Sequence, residues 1–150
     1  MEKLREGGIL IAKIHQVAGR VFAKKLKEYR INEINPAQGR ILFVLWEQDG
    51  IPIRALAEKT MLEKSTLTSM LDRLEETGYI TRLPSREDRR EIIISRTEKD
   101  KAFQKIYSEV SEEMSRLFYR GLSDREIDQL ELWFRHILDN LTSYEDEHRA

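Results

Sequence analysis

Residues 53–96 read IRALAEKTMLEKSTLTSMLDRLEETGYITRLPSREDRREIIISR, and the repeat of their apolar residues changes partway. Arg54 to Lys59 holds Ala55, Leu56 and Ala57, a short helical segment. Glu63 to Thr77 places Leu67, Met70, Leu71 and Leu74 at helical spacing, and Gly78 follows as a C-terminal cap. The period then shortens. Tyr79 to Leu83 and Glu91 to Ser95 are β-prone runs around the polar loop Pro84-Ser85-Arg86-Glu87-Asp88-Arg89-Arg90. The stretch predicts two helices joined by a tight turn, then a β-hairpin with a basic tip.

Working outward, Asn35, Pro36 and Gln38 form an N-cap, a first-turn proline and a capping box. They open a helix that is apolar nearly all round through Ile41 to Trp46 and ends at Asp49-Gly50. Before it, Leu10, Ile14, Val17, Val21 and Phe22 mark a helix from about Ile9 to Tyr29. After the hairpin, Thr97 and Asp100 open a long helix with the stripe Phe103, Ile106, Tyr107, Val110, Met114, Leu117 and Phe118. Gly121 breaks it. Ser123 and Glu126 start a last helix bearing Ile127, Leu130, Phe134, Ile137, Leu138 and Leu141. The tail from Tyr144 is polar and is expected to fray. The terminal stripes need a partner, which a two-fold homodimer supplies, with an intramolecular bundle as the alternative.

Composition narrows the function. The chain has 150 residues, no cysteine and three histidines, with Lys+Arg 26 against Asp+Glu 27. The missing cysteine excludes disulfides, thiolate metal sites and thiol nucleophiles. Net charge is -1 overall, yet residues 1–50 carry +3, residues 51–96 +1 and residues 97–150 -5. Arg82, Arg86, Arg89, Arg90 and Arg96 crowd one short span, which marks it as the place where phosphate would be met. The longest apolar run, Ile41 to Trp46, is too short to cross a membrane, and Ile9 to Ala12 is too short for a signal-peptide core, so a cytoplasmic protein is expected. The glycines form no phosphate-binding loop. His15, His136 and His148 lie in different elements without matched acids, so neither a metal nor a catalytic set is expected. No enzyme and no cofactor is expected.

In order along the chain stand Leu56-Ala57-Glu58-Lys59, Glu63-Lys64-Ser65-Thr66-Leu67-Thr68, Leu71 through Ile80, and Asp88-Arg89-Arg90. In that order the sequence resembles the MarR (multiple antibiotic resistance regulator) family of winged helix-turn-helix regulators. Asp88-Arg89-Arg90 is similar to the family's Asp-x-Arg wing motif, and the flanking helices and length also fit. The resemblance implies a mainly α fold, a three-helix core plus β-hairpin wing over about 35–96. Dimerisation helices over about 5–30 and 97–143 would complete a single domain of residues 1–150. It implies a homodimeric repressor on double-stranded DNA, reading a pseudo-palindromic operator and released by a small aromatic or lipophilic anionic effector.

A helix fits the major groove and reads base edges from its N-terminal residues. The outward set near the start of 63–77 is Lys64, Ser65, Thr66, Thr68 and Ser69, with Arg73 one turn on. Lys64 can meet a phosphate or a guanine, and the hydroxyls either phosphate or base. An arginine on a thin loop can enter the minor groove. The resemblance assigns that role to Arg90, with Asp88 shaping the wing and Arg86 and Arg89 facing phosphates. It also implies an effector site near His15, Arg20, Phe43, Trp46 and Tyr107. The chain departs from the family pattern at Met61, where Gly is common, and at Glu63, where Ser or Asp is. Ser69 stands where Arg is frequent, Arg96 replaces a usual Leu, and Asp100 a usual Gly. A winged-helix module for protein contacts, with little specific DNA binding, is the alternative reading.

Overall fold

The computed structural model describes residues 2–149. The elements, in order, are α1 (Gly7–Glu28), α2 (Pro36–Glu47), β1 (Ile51–Pro52), α3 (Ile53–Thr60), α4 (Lys64–Glu76), β2 (Ile80–Pro84), β3 (Ile92–Arg96), α5 (Glu98–Phe118) and α6 (Asp124–Glu147). Two compact units divide within α5, one ending at Ser111 and the other beginning at Glu112.

In the first unit the expected helices form for the expected reasons. Asn35 Oδ1 accepts from the Gln38 amide at 2.8 Å while Gln38 Oε1 accepts from the Asn35 amide at 2.8 Å, closing the capping box of α2. Leu26, Ile41, Leu42, Leu45, Leu56, Leu67, Leu71, Leu74, Ile94 and Val110 make the fully buried core. α2 is not apolar-buried all round, because Phe43 remains 46% exposed. Strand β1 is not legible in the sequence. It contributes only Ile51 and Pro52, which pair antiparallel with Ile94 and Ile93 and make a three-stranded sheet in the order β1-β3-β2. Two residues, one of them proline, leave no period to read.

The turn between α3 and α4 holds Met61 at φ 58°, ψ 24°, the left-handed conformation that a glycine adopts without a Cβ clash. One buried carboxylate organises the other side of this unit. Asp100 is fully buried, and Trp46 Nε1 donates to both its oxygens at 3.0 Å. Arg96 Nε donates to Asp100 Oδ2 at 2.6 Å, and Arg96 Nη2 reaches Gln104 Oε1 at 2.6 Å. Thr97 Oγ1 accepts from the Asp100 amide at 3.3 Å, capping α5 as expected, and donates to the Gly78 carbonyl at 2.6 Å. Two departures from the family pattern, Arg96 and Asp100, are therefore partners.

In the second unit Ser123 and Glu126 close the expected capping box. Tyr119 Oη donates to Glu131 Oε2 at 3.0 Å. The tail is more helical than expected, since α6 continues to Glu147, and Tyr144 stacks on His148 at a centroid distance of 4.1 Å. No residue of α6 is buried, and Trp133, Leu138 and Leu141 are exposed.

Three stability outcomes follow. Met61→Gly relieves the left-handed strain and is expected to raise the thermal midpoint by about 2–4 °C, roughly 1 kcal/mol. Asp100→Ala leaves Trp46 and Arg96 without their acceptor and is expected to cost about 3 kcal/mol in urea unfolding. Arg96→Leu combined with Asp100→Ala should cost less than the two single changes added together, because the pair acts as a unit.

Candidate nucleic-acid interface

Helix α4 buries Leu67, Leu71 and Leu74, so its other face is turned to solvent. Lys64, Ser65, Thr66, Thr68, Ser69 and Arg73 are all exposed on it. Glu63 occupies the N-cap without a side-chain hydrogen bond, which leaves the first-turn amides open to an acceptor from outside. Thr68 is less free than its position suggests, because its hydroxyl donates to the Lys64 carbonyl at 2.8 Å.

Asp72 sits on the same outward face and would repel phosphate. It is neutralised. Arg82 on β2 lies 2.7 Å from Asp72 Oδ1 and 2.9 Å from Glu75 Oε1, and the Arg82 amide donates to Glu75 Oε2 at 3.2 Å. The Arg82 hydrogen bond holds the Glu75 carboxyl below its ordinary value, while the two carboxylates push the guanidinium up. One side chain thereby clamps the wing strand to the helix.

The wing tip is an ordered turn. The Ser85 amide donates to the Glu91 carbonyl at 2.8 Å, and the Glu91 amide to the Asp88 carbonyl at 3.0 Å. Ser85 Oγ accepts from the amides of Glu87 and Asp88 at 3.2 and 3.4 Å. Asp88 Oδ1 accepts from the Arg90 amide at 3.0 Å and from Arg90 Nε at 3.2 Å. The backbone donor first, and then the guanidinium, hold the Asp88 carboxyl below its ordinary value. Arg90 nonetheless keeps its side chain 92% exposed. The side chains of Arg86 and Arg89 are exposed and carry no ion pair among the described residues. The crowd of five arginines thus separates by role: Arg82 and Arg96 are engaged with carboxylates beneath the wing, and Arg86, Arg89 and Arg90 remain at its tip.

Between helix and wing lies an open groove of about 450 Å³, lined by Pro52, Ile53, Ala57 and Ile92 with Arg54, Lys64, Arg90 and Glu91. It brings the first residue of α4 and the last arginine of the wing to one surface. Arg54 and Glu91 join at 2.7 Å, a pair with no local signal in the sequence because 37 positions separate them.

The five residues expected near an effector divide. Trp46 and Tyr107 lie edge to face at 4.8 Å, and Phe43 lies 6.3 Å from Trp46. Phe22 and Phe103 extend this aromatic cluster, at 5.4 and 5.8 Å from Tyr107. Burial pushes the Tyr107 hydroxyl up. Gly39 admits that ring, since a Cβ there would stand 2.9 Å from Tyr107 Cε2. His15 and Arg20 are exposed on α1 and take no part in the cluster.

Residues 34–92 match the model of the MarR family. Among curated relatives it is 29% identical over 132 residues to the HTH-type transcriptional regulator TtmR of Methylorubrum extorquens, a match covering 88% of this chain and 62% of that protein. The chain thus spans less than two thirds of that relative. Among solved structures, a mutant MarR from E. coli complexed with operator DNA aligns with a TM-score of 0.80 at 24% identity, covering 91% of this chain and 99% of that one. Bordetella bronchiseptica BpsR, whose DNA binding is regulated by 6-hydroxynicotinic acid, aligns with a TM-score of 0.82 at 17% identity, covering 93% and 99%. These structural likenesses match the expected winged-helix fold.

The acid response of the wing can be checked. A carboxylate whose folded pKa is depressed contributes stability above its unfolded pKa, and loses it as pH falls through the folded value. The Arg90 amide shift is therefore expected to titrate below the ordinary aspartate range, and Asp88→Asn to abolish that titration in an NMR pH series.

Proposed function

We propose that this chain is a MarR-family, sequence-specific DNA-binding transcriptional regulator, acting in the cytoplasm as a homodimeric repressor and not as an enzyme. The observation that carries the reading is the Arg82 clamp. It fixes the C-terminal half of α4 to strand β2, which holds the helix with its exposed, polar start against the arginine-tipped wing, and it offsets part of the Asp72 and Glu75 charge. In this reading Lys64, Ser65, Thr66, Thr68, Ser69 and Arg73 enter the major groove, Arg90 the minor groove, and Arg86 and Arg89 meet phosphates. Asp88 orients Arg90. The operator DNA in the E. coli MarR complex supports the same use of the fold.

The homodimer is supported by the apolar faces left uncovered on the terminal helices, Leu10, Ile14 and Val17 on α1 and, separately, Leu138 and Leu141 on α6. On this reading residues 1–150 act as one domain. Two-fold symmetry sets half-sites about 10–10.5 base pairs apart. Release by a small aromatic or lipophilic anion is part of the proposal, supported by the regulation of BpsR by 6-hydroxynicotinic acid. In this chain the Phe43, Trp46 and Tyr107 cluster would receive it.

The overall charge of -1 favours a second reading, a winged-helix module for protein contacts. Selection from a random duplex library at near-physiological salt separates the two. A retained pseudo-palindrome supports the regulator, and no retention supports the module. On the selected site, Arg90→Ala is expected to weaken binding at least about tenfold, the scale of one charge-assisted hydrogen bond, with the oligomeric state unchanged. Unchanged affinity would remove the wing from the interface.

A further inference from the structure

The ion pair at the mouth of the groove lies outside the residues assigned above. Arg54 is on the first turn of α3 and Glu91 immediately follows Arg90, yet their side chains meet at 2.7 Å across the groove that Lys64 and Arg90 also line. The Arg54 side chain is 74% exposed and that of Glu91 38%. An exposed pair of this kind is weak in water, so a competing anion exchanges for the carboxylate at little cost. Arg54, Lys64 and Arg90 stand around a floor of Pro52, Ile53, Ala57 and Ile92. Glu91 is the single carboxylate among the groove's lining residues, and Arg54 is its ion-pair partner.

We propose that Arg54 is a further phosphate-binding residue of the DNA interface, held in the groove by Glu91 until a backbone phosphate displaces that carboxylate. The proposal rests on the DNA-binding reading above. Arg54 touches the phosphate, and Glu91 is a positioning residue that acts through it. The interaction adds affinity without sequence preference, because phosphates carry no base information. Glu91 sets the level of that affinity by competing for the same guanidinium.

The test is a salt titration of the full chain against its selected duplex and a scrambled one. Arg54→Gln is expected to weaken both about tenfold. It should also make log affinity against log salt shallower by about 0.9 for each phosphate no longer neutralised, one in each half-site. Arg54→Lys should keep most of the slope. Glu91→Gln should tighten binding, and most of that gain should disappear in the Arg54→Gln background. An unchanged slope in Arg54→Gln, with the melting temperature also unchanged, overturns the proposal. So does an equal gain from Glu91→Gln in both backgrounds, which would make Glu91 a general negative charge. If the unmodified chain retains no duplex at all, the DNA-binding reading itself fails and this inference falls with it.

Discussion

Asp100 is the fixed point on which the first unit depends. A carboxylate with no exposed surface is costly unless donors meet its oxygens, and here Trp46 and Arg96 supply them while Thr97 takes up the Asp100 amide. Trp46 belongs to α2, Arg96 to the last residue of the wing strand and Asp100 to the first turn of α5. The base of the hairpin is therefore tied to the helix behind it through one side chain. Asp49 adds to the tie, its Oδ1 accepting from the Arg96 amide at 2.9 Å. A hairpin tied only by its own ladder would be free to hinge. This one leaves the core at a fixed place.

The second constraint works at the opposite edge of the hairpin. Arg82 binds two carboxylates of α4, so strand β2 and the solvent face of the helix share one ion cluster. Arg82 and Arg96 thus serve the scaffold, and the three arginines at the tip carry charge outward. A chain whose net charge is -1 can present a basic edge in this way, because position matters more than the sum. Lys64 and Arg90 then meet over one groove, with Arg54 and Glu91 at its rim.

Much of this is legible in the sequence, and the illegible parts share a cause. Asn35, Pro36 and Gln38, and again Ser123 and Glu126, announce their helices because capping acts within three residues. The shift from helical spacing to β-branched runs after Gly78 locates the hairpin for the same local reason. Strand β1 escapes because two residues carry no period. The division of the arginines escapes because Arg82 with Asp72 and Arg54 with Glu91 are pairs made by folding. Arg96 and Asp100 are visible as departures from the family pattern, but only the fold joins them to Trp46. The exposed Leu132 lies off the stripe of the last helix, while Trp133, three residues after Leu130 and four before Ile137, borders it.

The start of α4 and the wing form one continuous surface, and DNA bound there should touch both at once. The most direct measurement is NMR chemical-shift mapping with a selected duplex titrated onto the isotope-labelled chain. Perturbations are predicted at Lys64 to Ser69 and Arg86 to Arg90, saturating together, with Arg82 and Asp100 little changed. Perturbation of either segment without the other, or shifts confined to α6, would contradict a shared surface.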